Sequence, residues 1–383
     1  MRTVDAAGLK IGDGHPSRIM GVLNVSRESP YDPSVFADPG EAAAYVDEMI
    51  DEGADIVDIG LESANKRFDV LPVEGELDRL DTAVAAMEST SGDAVFSIET
   101  RYHEVAEAAL DRGFDMVNDI CGFADPEMPR VCADYDVAVS KMASPPDLER
   151  PGALEDVDDI YDALGRNGLT EKTLVDPAFG GWSEEKTVAD DRETFRRLRE
   201  FRATGHPILV SINRKNFLRD IADRPTEEAL PVSLAATAMA VERGAHVLRT
   251  HDVAETRDAA LVGDTFTRDR TTETIGEVRV EELDVTAVSE ARRQIEQVST
   301  SGAGTDTEAE DAATAVSRVY SLSGLDSESR DRLRALAGDR DVLVTGSPEA
   351  GTGELLLAGS VRSLRDLASA AGSGQLRAVL ETL

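Results

Sequence analysis

EAAAYVDEMIDEGADIVDIGLES, residues 41–63, holds one whole unit of the fold. Residues 41–52 place apolar side chains at helical spacing. Gly53 follows, as expected where a helix must end in a left-handed turn. The next apolar run, 56–61, has strand length and delivers Glu62 and Ser63 at its C-terminal end. The same unit recurs outward in both directions. Apolar runs at 19–25, 95–99, 116–120, 137–142, 173–176, 208–212 and 247–252 alternate with helical patterns such as 74–87, 102–112, 190–203 and 231–243. Gly113, Gly205 and Gly244 repeat the position of Gly53.

Strand–helix alternation implies a parallel sheet. About eight repeats in about 250 residues point to a closed (β/α)₈ TIM barrel. An open doubly wound sheet is the competing architecture, but no Gly-rich dinucleotide fingerprint opens the first helix. The barrel is expected over 1–266. Polar residues dominate 267–274, so 267–276 reads as a linker. Residues 277–383 read as a smaller C-terminal α/β domain, with strands at 277–285, 342–344 and 354–358 and helices at 287–298, 312–337 and 362–371. This domain has no histidine, cysteine or lysine, which argues against a second active site.

Composition narrows the partners. Asp and Glu number 75 against 40 Lys and Arg, a formal net charge of −35 over 383 residues. Such a chain should repel nucleic acid and anionic membranes. The acids are spread along the sequence, as in a solvated surface kept soluble in concentrated salt, so a halophilic source is expected. Lysine is nearly absent: Lys10, Lys66, Lys141, Lys172, Lys186 and Lys215 are all of it. No apolar run approaches the ~18 residues that span a bilayer. The N-terminus carries Asp5 and Asp13 and no apolar core of a signal peptide. The cytoplasm is the expected compartment. Cys121 and Cys132 fit buried thiols, not a disulfide framework or a metal motif.

Active sites of such barrels lie at the C-terminal ends of the strands. The polar residues there are Asn24, Glu62, Ser63, Glu99, Asn118, Asp119, Ser140, Lys141, Asp176, Asn213, Arg214, Lys215, Arg249, His251 and Asp252. Amide and carboxylate groups at Glu99, Asn118 and Asp176 suit the donor and acceptor edge of a flat heterocycle. Asn24, Arg249 and His251 suit an anion, with or without a metal, and Lys215 could serve either half. Each also has a bland role; Asp252, for instance, is placed to cap the helix at 253–260. What the bland roles explain poorly is the joint occurrence on nearly every strand end.

At these residues the chain resembles the dihydropteroate synthase family over roughly 16–266. The matching segments are Ile19-Met20-Gly21-Val22-Leu23-Asn24-Val25, Gly53 to Gly60 with Glu62-Ser63, Val117-Asn118-Asp119-Ile120, Asp176-Pro177, Asn213-Arg214-Lys215-Asn216-Phe217 and Arg249-Thr250-His251-Asp252-Val253. The resemblance implies condensation of a dihydropterin-methyl pyrophosphate with para-aminobenzoate and release of pyrophosphate. It implies that Asn118, Asp176 and Lys215 bind the pterin, with Glu99 beside them. Arg249, His251 and Asn24 would hold the pyrophosphate, Asn24 near Mg²⁺. Lys215, Arg249 and His251 are the expected catalytic set. A homodimer is compatible with the resemblance.

The sequence departs from the family in places. The usual Ile-Asp-Thr is Ile98-Glu99-Thr100. The usual Met-His-Met is Ser140-Lys141-Met142, and the usual Ser before Arg-Lys is Asn213. The first loop carries Arg27. The second carries Ala64-Asn65-Lys66, with Arg67 as the residue that restores a positive charge and touches substrate. These changes keep three other readings in play: a synthase for a different, more anionic arylamine, a pterin-binding paralogue without turnover, and a pterin-dependent methyltransferase.

Overall fold

The computed structural model describes residues 1–26, 34–36, 38–62, 70–148, 151–152, 154–180, 186–299, 306–346 and 354–383, apart from the side chains of 306–308. The chain divides into two compact units, Met1–Asp269 and Arg270–Leu383.

The first unit opens with a hairpin, β1 (Val4–Ala6) and β2 (Leu9–Ile11). Eight parallel strands then close into a barrel: β3 (Arg18–Asn24), β4 (Ile56–Gly60), β5 (Val95–Thr100), β6 (Met116–Asp119), β7 (Ala138–Met142), β8 (Thr173–Asp176), β9 (Ile208–Val210) and β10 (Ala245–Thr250). Between and after them run α1 (Pro39–Glu52), α2 (Val73–Ser89), α3 (His103–Leu110), α4 (Met128–Asp134), α5 (Val157–Gly165), α6 (Val188–Arg196), α7 (Asn216–Ala222), α8 (Leu230–Glu242) and α9 (Val253–Phe266). The expected TIM barrel is the observed one, and each expected strand lies within a few residues of its place.

Local chemistry sets the corners. Asp38 caps α1 by accepting from the Gly40 and Glu41 N–H groups, and Gly53 ends it at φ 105°. Asp55, two residues on, accepts from the Ile19 N–H of the neighbouring strand at 3.0 Å. Gly113 and Asp115 repeat the device, with Asp115 accepting from the Phe96 N–H at 3.0 Å. Both of these helix-to-strand corners thus lock onto the strand before them.

Side chains alternate across a strand, so odd and even positions face opposite layers. One parity (Leu23, Val57, Ile59, Ile98, Val117, Val139, Val175 and Leu248) packs against the helices in the main core. The other parity fills the barrel. Its lowest level is apolar: Met20, Ile56, Val95, Met116, Ala138, Leu174, Leu209 and Val247 cluster with Val4, Ala6 and Ile11 of the hairpin, which stoppers the N-terminal end. That stopper is absent from the sequence reading, because two three-residue strands carry too little periodicity to register.

Lys141 has the outward parity. It is fully buried, bonds the Arg166 and Gly168 carbonyls beyond α5, and sits 4.6 Å from the Phe123 ring centroid. It therefore seals a helix end, where an ammonium complements the exposed carbonyls. Asp119, also outward, accepts from the Cys121 and Phe123 N–H groups. Both cysteines are buried and free.

The second unit differs from the sequence reading in two places. The expected linker 267–276 contains β11 (Thr272–Ile275), which pairs with β12 (Val278–Glu281) in a hairpin turned at Gly276. Within the expected helix 312–337 lies β13 (Ser317–Leu322). α10 (Val288–Val298) and α11 (Asp306–Ala315) precede it; α12 (Ser327–Ala337), β14 (Val342–Gly346), β15 (Leu355–Ser360), α13 (Val361–Ala370) and α14 (Gln375–Leu380) follow. The sheet order is β13-β15-β14, antiparallel throughout, over a leucine core that includes Leu333, Leu355, Leu357 and Leu367.

Candidate active site

The inward parity turns polar above the apolar level. Asn24, Gly60, Glu99, Asn118 and Ser140 are successive register partners across five adjacent strands, so they share one level at the C-terminal end. Asp176 and Arg249 have the inward parity on β8 and β10. Of the sequence candidates on these strands, Asn24, Glu99, Asn118, Ser140, Asp176 and Arg249 thus have the inward parity, whereas Asp119 and Lys141 have the outward one.

At the centre is Asp58, fully buried. Its Oδ1 accepts from Ser97 Oγ at 2.8 Å. Its Oδ2 accepts from Asn118 Nδ2 at 2.9 Å and from Arg249 Nε at 2.8 Å. Arg249 Nη2 also donates to Glu99 Oε2 at 2.5 Å. Burial opposes the Arg249 charge, but Glu99 and Asp58 more than offset it and hold its pKa above the ordinary value. Burial raises the Glu99 pKa, with Arg249 opposing. Asp58 was absent from the sequence candidates. The signal was available: a carboxylate in an otherwise apolar buried strand, two residues above inward Ile56.

Asp176 has 5% of its surface exposed, and its Oδ1 accepts from the Ala178 N–H at 2.8 Å. Burial pushes its pKa up to about 6, against the Ala178 N–H and the charge of Lys215. Burial pushes Lys215 down to about 8, helped by Arg249 and opposed by Asp176. The two groups thus share one electrostatic environment. The turn that delivers Lys215 is unusual. Arg214 takes φ 52°, a conformation few non-glycine residues adopt. A bidentate pair to Asp252, at 2.8 Å on each arm, and bonds to the Thr226 and Glu227 carbonyls hold it there. Gly180 takes φ 110°, which strains any other residue, and a Cβ there would crowd Lys215, 3.0 Å from Cδ and 3.1 Å from Nζ.

Asp252 occupies the N-cap position of α9 without making a cap hydrogen bond. Its carboxylate receives Arg214 and Asn213 Nδ2 instead, tying the ends of β9 and β10 together. Burial, with Arg249 adding to it, pushes His251 down to about 3, which keeps the imidazole neutral near pH 7. Asn24 Nδ2 donates to Ser34 Oγ at 3.0 Å. A Cβ on Gly60 would lie 3.0 Å from Asn24 Oδ1 and 3.7 Å from Glu99 Oε1, so these two oxygens flank the glycine.

Glu62 is paired with buried Arg101 and accepts from the Leu71 N–H at 3.0 Å. Ser63, Lys66 and Arg67 of the second loop, and Arg27 of the first, lie outside the described residues. Among the described residues no helix is long and apolar enough to cross a membrane.

Residues 20–251 match the pterin binding enzyme family, a span that starts on β3 and ends at His251. A probable bifunctional folylpolyglutamate synthase/dihydropteroate synthase of Haloferax volcanii is 35% identical over 249 residues, covering 62% of this chain and 29% of that protein. This chain therefore spans under a third of that relative's length. The dihydropteroate synthase of Clostridium beijerinckii is 31% identical over 272 residues, 68% of this chain and 100% of that protein. Among solved structures, the dihydropteroate synthase of Coxiella burnetii in complex with pteroic acid is 28% identical with a TM-score of 0.58, covering 69% of this chain and 98% of that one. That of Xanthomonas albilineans with 4-aminobenzoic acid is 30% identical with a TM-score of 0.58, covering 69% and 97%. Every matched share fits the barrel unit, and on this evidence the chain belongs to the pterin binding enzyme family.

Proposed function

We propose that the protein is a dihydropteroate synthase, joining 6-hydroxymethyl-7,8-dihydropterin pyrophosphate to para-aminobenzoate and releasing pyrophosphate. The observation that carries this reading is the buried level holding Glu99 and Asn118, with Asp176, Lys215 and Arg249 around it. Because Asn118 Nδ2 is committed to Asp58, its Oδ1 is the atom left to accept from the pterin. Asp176 accepts from the amino edge of the ring, and Lys215 donates to a ring oxygen or nitrogen. Arg249 spends Nε and Nη2 on Asp58 and Glu99, which leaves its Nη1 edge for the pyrophosphate. Neutral His251 adds a donor.

In the reaction the C–O bond to pyrophosphate breaks and the arylamine nitrogen bonds the methylene carbon, then sheds a proton. The protein's share is to position both reactants and stabilise the leaving-group charge. Glu99 reaches Arg249, so the longer carboxylate has a partner, which favours a working enzyme over an inactive paralogue.

Mg²⁺ fits at Asn24. The Nδ2 bond to Ser34 turns Oδ1 toward the side of Gly60 and Glu99, and a hard cation takes oxygen ligands while keeping several waters. When bound, the ion would supply charge to the departing pyrophosphate.

We further propose that the acidic surface serves concentrated salt, and that residues 270–383 form an accessory unit without its own chemistry. A homodimer is the expected assembly; the adjoining helices α8 and α9 expose Met239, Leu261, Val262 and Phe266, which supports it. The test of the activity is pyrophosphate release in high-KCl buffer, with and without para-aminobenzoate. Release that requires both substrates is expected. Absence of release at every salt concentration would overturn the reading.

A further inference from the structure

Buried polar atoms in folded proteins are nearly always hydrogen-bonded, so each exception asks for a reason. Among the described residues, three buried side-chain oxygens lack a protein partner: Ser26 Oγ, Ser140 Oγ and Asn213 Oδ1. Ser26 and Asn213 lie just past β3 and β9, and Ser140 lies midway along β7 at the level of Asn118. Among the described residues no such oxygen lies in the apolar cluster at the other end.

Ser140 is the most informative of them. It is fully buried, has the inward parity on β7, and is the register partner of Asn118 on β6. Adjacent strands run ~4.8 Å apart, so its hydroxyl lies one strand from the Asn118 amide. Asn118 and Asp176 are themselves only 4% and 5% exposed. A ligand that reaches Asn118 therefore comes to the level that Ser140 occupies. The resembling family usually has methionine here, so the hydroxyl is a feature of this chain.

Resting on the pterin reading above, we propose that Ser140 is a further binding residue that hydrogen-bonds the heterocycle beside Asn118. A hydroxyl can donate to a ring nitrogen or accept from a ring N–H by rotating. The contact gives this enzyme a polar grip where a thioether would only pack. It is a ground-state contact to the ring, remote from the bond that breaks, so it should tighten pterin binding with little effect on turnover at saturation.

The experiment is calorimetric titration of 6-hydroxymethylpterin into the full-length wild type, Ser140→Ala and Ser140→Cys in high-KCl buffer, with Tm measured for each ligand-free protein. Ser140→Ala should weaken binding by about five- to tenfold, the loss of one neutral hydrogen bond. Its Tm should hold or rise, because the free protein loses an unsatisfied buried hydroxyl. Ser140→Cys, nearly the same size with a poor donor, should follow it. Affinities within twofold of wild type for both variants would overturn the inference. So would a fall in Tm for both, which would mark a structural hydroxyl. If the wild type itself fails to bind the pterin, the functional reading falls too; if it binds and the variants bind equally, only Ser140 is lost.

Discussion

The two ends of the barrel are built from the same strands and opposite chemistry. At the N-terminal end an apolar cluster fills the barrel and a hairpin covers it. A few residues further along the same strands, the inward side chains include Asp58, Glu99, Asn118, Asp176 and Arg249. The lower end gains from removing area from water. The upper end spends stability, since buried charges are costly unless paired. Asp58 with its three donors limits that cost and orders the site at once. The difference teaches that stability and function are separated along each strand, by level, although they share one face.

The largest expected effect breaks the lower end. Ile56→Asp puts a carboxylate among apolar groups with no donor, a loss of at least about 4 kcal/mol. Failure to fold, or a large drop in Tm by circular dichroism, is expected, and a near-normal Tm would refute the layered account. Next comes a pair of lysines, Lys215 half-buried at the site and Lys141 fully buried behind it. Lys215→Ala should abolish pterin binding and cut turnover by at least about 100-fold, ~2.7 kcal/mol, with Tm unchanged. Lys141→Met should lower Tm and leave the KM for pterin alone. If the two variants exchanged phenotypes, the assignment of inward and outward parity would be wrong.

Two residues above Ile56, Asp58→Asn should keep the fold while turnover falls on the order of 100-fold. The cause is that Arg249 and Asn118 lose the carboxylate that aims them. Unchanged kinetics would make Asp58 merely structural.

The acidity of the upper end also has a sign. Asp176, raised to about 6, loses its charge as pH falls below that value, and Lys215, lowered to about 8, loses its charge as pH rises above it. The kcat/KM for the pterin substrate should therefore be bell-shaped with limbs near those values. Asp176→Asn should erase the acid limb, and a profile flat from pH 5 to 9 would exclude both roles. The smallest effect is Glu99→Asp, which should change turnover by less than about tenfold. A wild type without turnover, rescued by this substitution, would mean that the longer carboxylate disables the site.

The barrel was legible because its strands are apolar on both faces and are punctuated by Gly53, Gly113, Gly205 and Gly244. The site was legible at the level of which residues stand at strand ends. What could not be read was how they pair. Arg249 and Glu99 are 150 positions apart, and no local pattern in one sequence couples them. Asp252 looked like a helix cap because its position is right, yet the Arg214 guanidinium is a stronger claimant for its carboxylate. In the second unit, Ser317–Leu322 follows an alanine-rich helical run directly, so helical periodicity carried across a boundary that has no glycine or proline. Its alternation of exposed Ser317, Val319 and Ser321 with Arg318, Tyr320 and Leu322 is the period-two signal that marks the strand.

The scarcity of lysine makes the chain an unusually quiet background for amine chemistry. Of its six lysines, Lys141 and Lys186 are sealed in the interior, and Lys141 is bound to carbonyls. Lys215, with its pKa drawn down to about 8, is largely uncharged at a mildly alkaline pH where ordinary surface lysines are still protonated. An acylating reagent small enough to enter the mouth should mark Lys215 ahead of Lys10 and Lys172, and a seated pterin should protect it. The labelled peptide, counted by mass spectrometry, would then report occupancy of the site directly, with no coupled assay and no need for turnover.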